Sequence, residues 1–144
     1  EGGCAAGGGI YTSAAEAAAK VGGKLIGVDV DQSANIDTYG EGMCVTSAMK
    51  GLAETVQHML SEVVAGNFAN YGGKIETLGL VSGDDPTANY VQLPMETTQW
   101  GDGFTQDDYK ALVKAMYDGE VTVSNDISAM PETTITVNFA GNIK

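Results

Sequence analysis

A short aliphatic run that ends in two acidic residues constrains this chain more than any other feature. The segment 24-KLIGVDV-30 follows two glycines and leads into a polar turn. A run of this length, bounded by glycine and turn residues, is typical of a buried strand. In open parallel sheets, ligands bind at the carboxyl ends of the strands. Asp29 and Asp31 therefore lie where a ligand would be expected to bind.

Three helices are predicted around this strand. Ser13 is expected to cap a first helix over the alanine-rich run 14–20. Between Val45 and Gly66, apolar residues recur at three- and four-residue steps, which predicts one long helix. A last helix is expected from about Gln106 to Asp118. Thr105 would be its N-cap, and Gly119 would end it.

Further strands are predicted between and after these helices. They cover residues 74–82, 89–95, 120–124 and 133–139, and Pro94 places the second of them at an edge of the sheet or at a chain crossing. Strands that alternate with helices indicate an α/β fold with a mostly parallel, Rossmann-like sheet flanked by helices. The first helix has no good strand before it, since 1-EGGC-4 is short and glycine-rich. We therefore expect the chain to be part of a larger α/β protein.

The charge balance argues against several classes of partner. The chain has 144 residues, seven lysines, no arginine and a net charge of −12. Nucleic-acid binding needs clustered cations, and so does binding to anionic lipid, so neither is expected. No apolar run reaches the length of a membrane span, and no signal peptide is visible. Cys4 and Cys44 could pair or could remain free thiols, and Cys4 lacks the upstream aliphatic residue of a lipoprotein cleavage site.

The spacing of Asp29 and Asp31 is compatible with two kinds of enzyme. In a phosphatase of the haloacid-dehalogenase type, Asp29 would be the nucleophile and Asp31 the acid/base. In a sugar-nucleotide transferase, the same pair would hold a metal. Both sites need further carboxylates around a hard cation. The downstream pairs 84-DD-85 and 107-DD-108 do not follow a strand in the way that such a site requires.

A third interpretation makes Asp29 a binding group. An ionised carboxylate can accept hydrogen bonds from two neighbouring hydroxyls of a sugar. Lys50, expected at the start of the long helix, is the cation that would lie beside it. Alternatively, Asp29 and Asp31 have only a structural role and form the turn together with Gln32, Ser33 and Asn35.

Three motifs together resemble a known family. In order, they are 6-AGGGIYTSAAEAAAK-20, 26-IGVDVDQ-32 and 45-VTSAMKG-51, and the tail 108-DYKALVKAMYDGEVTVS-124 fits the same pattern. This resembles the C-terminal portion of the basic-membrane-protein family of solute-binding lipoproteins, whose best-understood members are purine nucleoside receptors. The resemblance covers most of the chain. It implies about half of a two-lobed periplasmic-binding-protein fold of type I.

The resemblance also implies a division of the chain and a set of partners. Residues 1–82 would be the remnant of the second lobe, and residues 83–144 would hold the inter-lobe crossing and the C-terminal segment. The protein would bind a nucleoside outside the bacterial cytoplasm and deliver it to the permease of an ABC importer, without catalysis, metal or cofactor. An N-terminal lobe and a lipid anchor would lie outside this chain, which by itself would bind weakly or not at all. The other possible ligand class is a sugar, which a relative with the same fold would bind.

The resemblance assigns roles to particular residues. Asp29 would accept the ribose hydroxyls, and Lys50 would donate to the ribose. Gly7 and Gly8 would let the backbone approach the ligand, and Asp31 would support the turn beside it. Tyr11 is a candidate for stacking on the base. Trp100 is a second candidate for stacking on the base, and it could instead anchor a loop, just as Tyr11 could instead pack the first helix. His58 has no catalytic partner in the sequence.

Overall fold

The computed structural model describes residues 10–126, 128–130, 132–134 and 136. Gly7, Gly8 and Cys4 lie outside these residues. Within the described residues, the regular elements are four helices and three strands, with two short 3-10 turns at Phe68–Asn70 and Pro86–Ala88. In chain order they are α1 (Ile10–Ala19), β1 (Leu25–Asp29), α2 (Ser33–Ile36), β2 (Cys44–Lys50), α3 (Leu52–Val64), β3 (Val91–Gln92) and α4 (Gln106–Tyr117).

The strands form one small mixed sheet in the order β1-β2-β3. β1 and β2 are parallel, and Asp29 lies opposite Met49 at their carboxyl ends. β3 runs antiparallel to β2, with Val91 opposite Lys50. The predicted α/β class is therefore confirmed, but the sheet is mixed and smaller than expected. The predicted edge position of the strand that contains Val91 is also confirmed.

One face of the sheet carries the main hydrophobic core. Here α1 and α2 pack against the amino-terminal part of the strands. The buried members of this cluster are Ala15, Leu25, Ile36, Met43 and Cys44. The thiol of Cys44 is free, and burial raises its pKa, so the neutral thiol is favoured. Leu25 and Gly27 of β1 are buried, and Ile26 and Val28 on its other face are half-buried, which agrees with the apolar run that predicted this strand.

The last helix forms as the sequence predicts. Thr105 accepts a hydrogen bond from the Asp108 N–H, and the Asp108 side chain accepts one from the Thr105 N–H, which completes a capping box. Tyr109 and Val113, which lie one turn apart on this helix, are buried. The Thr105 N–H and the Thr105 hydroxyl both donate to the Asp108 carboxylate, and these two hydrogen bonds lower the pKa of Asp108.

The predicted start of the long helix is wrong. Residues 44–50 form β2, and the helix begins only at Leu52, after Gly51. The apolar residues of this segment fit a helical period, but hydrogen bonding to the parallel β1 determines their conformation. Lys50 is therefore the last residue of a strand, not the first turn of a helix.

Other predicted boundaries also change. α1 includes all residues from Ile10 to Ala19, so Ser13 lies inside the helix and is not its cap. Residues 74–80 and 120–124 form no strand. The predicted strand 133–139 lies mostly outside the described residues. Among the helices that the structure describes, none combines the length and apolar character that crossing a membrane requires.

Candidate ligand site at the carboxyl ends of β1 and β2

An ion pair marks the carboxyl ends of the two parallel strands. The Lys50 Nζ lies 2.7 Å from the Asp29 Oδ1, and the side chains are 60% and 41% exposed. Both groups can therefore be reached from solvent while they contact each other. Parallel pairing of β1 with β2 produces this arrangement, because Asp29 and Lys50 each end their strand.

The backbone of Asp29 has an unusual conformation. Its φ angle is +73°, and it is the one non-glycine residue with positive φ in the described part of the chain. The left-handed region costs a non-glycine residue about 1–2 kcal/mol, although Asp tolerates it better than most. Such conformations concentrate at functional sites, where the surrounding structure maintains them. Here the conformation ends β1 and turns the chain away at Val30.

Asp31 has different partners from Asp29. One of its carboxylate oxygens accepts the Ser33 N–H at 3.0 Å, and the other accepts the Thr97 hydroxyl at 2.8 Å. Burial raises the pKa of Asp31, but these hydrogen bonds outweigh it and keep the pKa below its ordinary value. Since β1 ends at Asp29, the two carboxylates do not continue along one strand face. Asp31 ties the loop after β1 to the segment around Thr97.

Gln32 and Ser47 stabilise the turn that follows β1 through hydrogen bonds. The Gln32 side chain accepts the Val28 N–H at 3.1 Å, and the Gln32 N–H donates to the Ser47 hydroxyl at 3.1 Å. Ser47 is fully buried. A Cβ on Gly27 would lie 2.5 Å from the Ser47 Oγ and 2.9 Å from the Gln32 side chain, so this packing requires glycine. These contacts give a physical role to IGVDVDQ and to the serine of 45-VTSAMKG-51.

Ser47 and Thr97 are the contacts that sequence reasoning missed. Ser47 lies inside a quoted motif, but its role became visible only when β2 was seen to pair with β1. Thr97 is far from Asp31 in the sequence, and no spacing rule connects them. A second hydrogen bond, between the hydroxyls of Thr46 and Thr98 at 2.8 Å, fixes the same segment to β2.

The proposed aromatic contacts have structural roles elsewhere. Tyr11 is partly buried and packs against the core cluster beneath α1. Trp100 packs against the rings of Phe104 and Tyr109, and its indole N–H donates to the Met95 carbonyl, so it anchors a loop. The structure thus brings Asp29 and Lys50 together, with Asp31 in the adjoining turn. It places Tyr11 in the packing of α1. His58 makes an edge-to-face contact with Tyr71.

An apolar groove of about 430 Å³ lies beside Lys50. It runs between the sheet face opposite α1 and the helix α4. Its walls include Val28, Leu80, Leu93, Leu112 and Met116. Lys50 is the one charged residue among the described residues that line it. Lys50 therefore belongs both to the ion pair and to the wall of this apolar groove.

The pair offers complementary hydrogen-bonding groups to a ligand. Asp29 supplies acceptors, and Lys50 supplies donors, within 2.7 Å of each other. Among the residues that the structure describes, no three His, Cys, Asp or Glu side chains cluster closely enough to hold a metal ion. The arrangement suits a neutral ligand with adjacent hydroxyls, because each hydroxyl can both donate and accept.

Comparison with known proteins adds no relative. No protein-family profile matches the sequence, no curated protein matches it, and no solved structure matches the fold.

Proposed function

We propose that this chain is part of an extracytoplasmic solute-binding protein of a bacterial ABC importer, and that it binds a nucleoside, most simply a purine nucleoside, through the ribose. The observation that carries the proposal is the half-exposed pair of Asp29 and Lys50 at the carboxyl ends of two adjacent parallel strands. This is the edge at which open α/β sheets bind their ligands. The type I periplasmic-binding-protein fold is part of the same proposal.

The proposed contacts distinguish a nucleoside from a free base. The 2′ and 3′ hydroxyls of ribose would donate to the Asp29 carboxylate, and Lys50 would donate to a ribose oxygen. A ligand without these hydroxyls would exclude water from the carboxylate and the ammonium. It would not supply hydrogen bonds in place of those that the two groups make with water. Each hydrogen-bonding position left without a partner in this way costs on the order of 1–3 kcal/mol.

The strained backbone of Asp29 also supports a binding role. A turn could be formed at lower cost by glycine at a position with φ of +73°. The acidic side chain at this position is therefore difficult to explain by local structure alone. A second lobe would close over the ligand from the opposite side. That lobe, the permease and a lipid anchor are partners that the proposal requires outside these residues.

Titration followed by NMR tests the proposal with the chain itself. Because one wall of a cleft binds weakly, amide chemical shifts are more suitable than a measurement that needs tight binding. Adenosine, guanosine and inosine are expected to shift the amides around Asp29 and Lys50, and adenine and 2′,3′-dideoxyadenosine are expected to leave them unchanged. Asp29→Asn should remove the response. Asp118→Asn is the matched control, since Asp118 forms a comparable exposed ion pair with Lys114 at 2.8 Å on α4.

Other outcomes would identify the alternatives. Equal shifts with ribose alone would indicate a sugar-binding protein instead. Mg²⁺-dependent hydrolysis of p-nitrophenyl phosphate that is lost in Asp29→Asn would indicate a phosphatase. Nucleosides that shift no amide near Asp29, even at saturating concentration, would contradict the proposal.

A further inference from the structure

Asp29 is the central residue of a γ-turn. The Val30 N–H donates to the Val28 carbonyl at 2.9 Å, so this hydrogen bond joins residues two apart in the chain. With a φ of +73° at the residue between them, this is the arrangement of the classic γ-turn, which is rare and strained. Such a turn persists only where the surrounding structure holds it. The contacts that hold this turn therefore bear on the ligand site at its centre.

The γ-turn determines which face of the sheet the Asp29 carboxylate can reach. Val28 is the cross-strand partner of Ala48, and Lys50 lies two residues beyond Ala48, so these three side chains share one face. Because successive side chains alternate along a strand, a regular strand would place Asp29 with its partner Met49 on the opposite face. Yet the carboxylate lies 2.7 Å from the Lys50 ammonium. The break in strand geometry at Asp29 therefore brings the two charges together.

The side chain of Gln32 holds the residue on which this turn closes. Its Oε1 accepts the Val28 N–H at 3.1 Å. Both backbone groups of Val28 are thereby fixed, because its carbonyl accepts the Val30 N–H that closes the γ-turn. The hydrogen bond from Val28 to Gln32 thus keeps the first residue of the turn in place.

Gln32 is itself fixed in position. Its N–H donates to the buried Ser47 hydroxyl at 3.1 Å. Its carbonyl accepts the N–H groups of Asn35 and Ile36 at 3.0 and 2.9 Å, where α2 begins. The residue is only 9% exposed. A buried side chain on a backbone held at three points offers the Val28 N–H an acceptor in one defined place.

We propose that Gln32 is a positioning residue of the ligand site, which holds the γ-turn at Asp29 and thereby the carboxylate beside Lys50. The effect on binding rests on the proposed function, because it assumes that the two charges share one ligand. Without the Gln32 acceptor, residue 29 should relax towards an extended conformation and the ion pair should be lost. The affinity for nucleosides should then fall by about tenfold, which corresponds to one hydrogen bond.

The backbone conformation of Asp29 tests the proposal without a ligand. A residue with positive φ has its amide and α protons close together, so it gives a strong NOE between them. The wild-type chain is expected to show this NOE at Asp29. Gln32→Met keeps a side chain of similar size without a strong acceptor, and it is expected to weaken the NOE. Gln99→Met is the matched control, because the Gln99 amide also bonds to backbone, at the Gly42 and Cys44 carbonyls.

Rescue by glutamate distinguishes positioning from packing. Gln32→Glu keeps an oxygen acceptor for the Val28 N–H whether its carboxyl group is ionised or protonated. It is expected to keep both the Asp29 NOE and the response of the site to adenosine in NMR titration. Gln32→Met should weaken both, while circular dichroism shows that it is folded. Equal losses in the methionine and glutamate variants would overturn the proposal, because the acceptor would then not be the cause.

The outcomes separate this inference from the proposed function. A wild-type chain that ignores adenosine, with an Asp29 NOE that Gln32→Met weakens, would contradict nucleoside binding and support the role of Gln32 in the turn. A Gln32→Met variant with unchanged NOE and unchanged response would overturn this inference alone. The wild-type chain also provides a measurement that no substitution disturbs, since its Val28 amide should exchange slowly with solvent. Fast exchange at Val28 would overturn the inference even if Gln32→Met did not fold.

Discussion

The Lys50 Nζ lies 2.7 Å from the Asp29 Oδ1, and this contact joins the last residues of two parallel strands. The φ angle of Asp29 is +73°, which is a strained backbone conformation for a residue other than glycine. Both side chains are substantially exposed, and the ion pair therefore contributes little to folding. The combination of strain, exposure and complementary charge is what makes this pair a candidate binding site.

The first prediction separates the stability and the binding function of Lys50. Lys50→Met is expected to change the free energy of unfolding by less than about 1 kcal/mol, because exposed ion pairs are worth little. The same substitution should remove the response to nucleosides. Urea denaturation and NMR titration measure the two effects. Lys114→Met, which removes a similar exposed pair, should keep the response, and a large loss of stability in Lys50→Met would contradict the prediction.

The second prediction concerns the backbone at Asp29. Asp29→Gly and Asp29→Ala both remove the carboxylate, but only glycine adopts positive φ without steric cost. We expect Asp29→Gly to be more stable than Asp29→Ala by about 1 kcal/mol. Chemical denaturation of the two variants measures the difference. If the alanine variant is as stable as the glycine variant, the left-handed conformation at Asp29 is not maintained in solution.

The third prediction concerns the packing under the turn. Gly27→Ala places a methyl group 2.5 Å from the Ser47 Oγ and 2.9 Å from Gln32, so we expect a loss of about 1–3 kcal/mol in stability. Gly79→Ala is the control, because its added Cβ would meet nothing within 4 Å. Both variants are compared by thermal and urea denaturation.

A double substitution tests whether Ser47 is the cause. Ser47→Ala removes the nearest atom to the new methyl group, but it also leaves the Gln32 N–H without the acceptor it has in the native turn. The double variant Gly27→Ala/Ser47→Ala should therefore lose less stability than the sum of the two single losses. Strict additivity would show that Gly27 and Ser47 are not in contact.

The fourth prediction is a pH dependence at Asp31. Its pKa is lowered in the folded state, so the unfolded chain binds more protons at mildly acidic pH, and folding gains stability as pH rises. The contribution is fully present above about pH 4, the ordinary range for Asp, and is lost as pH falls through the lowered pKa. Thr97→Val removes one of the hydrogen bonds that lower it.

The measurement is the stability difference between Thr97→Val and the wild type across acidic pH. The difference should be largest near neutral pH and should shrink below about pH 4. Thr97→Ser keeps the hydroxyl and should behave like the wild type. A difference that is constant with pH would show that Thr97 stabilises the chain by packing and not through the Asp31 carboxylate.

The sequence alone predicted those helices and strands whose local sequence patterns do not depend on distant residues. The aliphatic run between glycines and polar turn residues predicted β1 and the position of Asp29 at its end. The Thr105 cap, with Asp108 three residues later, predicted the start of α4, because a capping box satisfies backbone donors within one helical turn. The expectation that Lys50 would lie beside Asp29 came from the need for a cation next to a binding carboxylate and also from the family resemblance, and the observed distance agrees with it.

Tertiary structure decided the elements whose conformation depends on a neighbour. Residues 44–50 have a helical spacing of apolar side chains, yet they form a strand, because pairing with β1 provides backbone hydrogen bonds to them. Residues 74–80 are apolar enough for a strand, but no described strand pairs with them. The hydrogen bond from the Thr97 hydroxyl to the Asp31 carboxylate joins two residues that are far apart in the sequence, so only the folded structure shows it. A helix turn is completed within four residues, whereas a strand or a loop contact requires a partner that the local sequence does not specify.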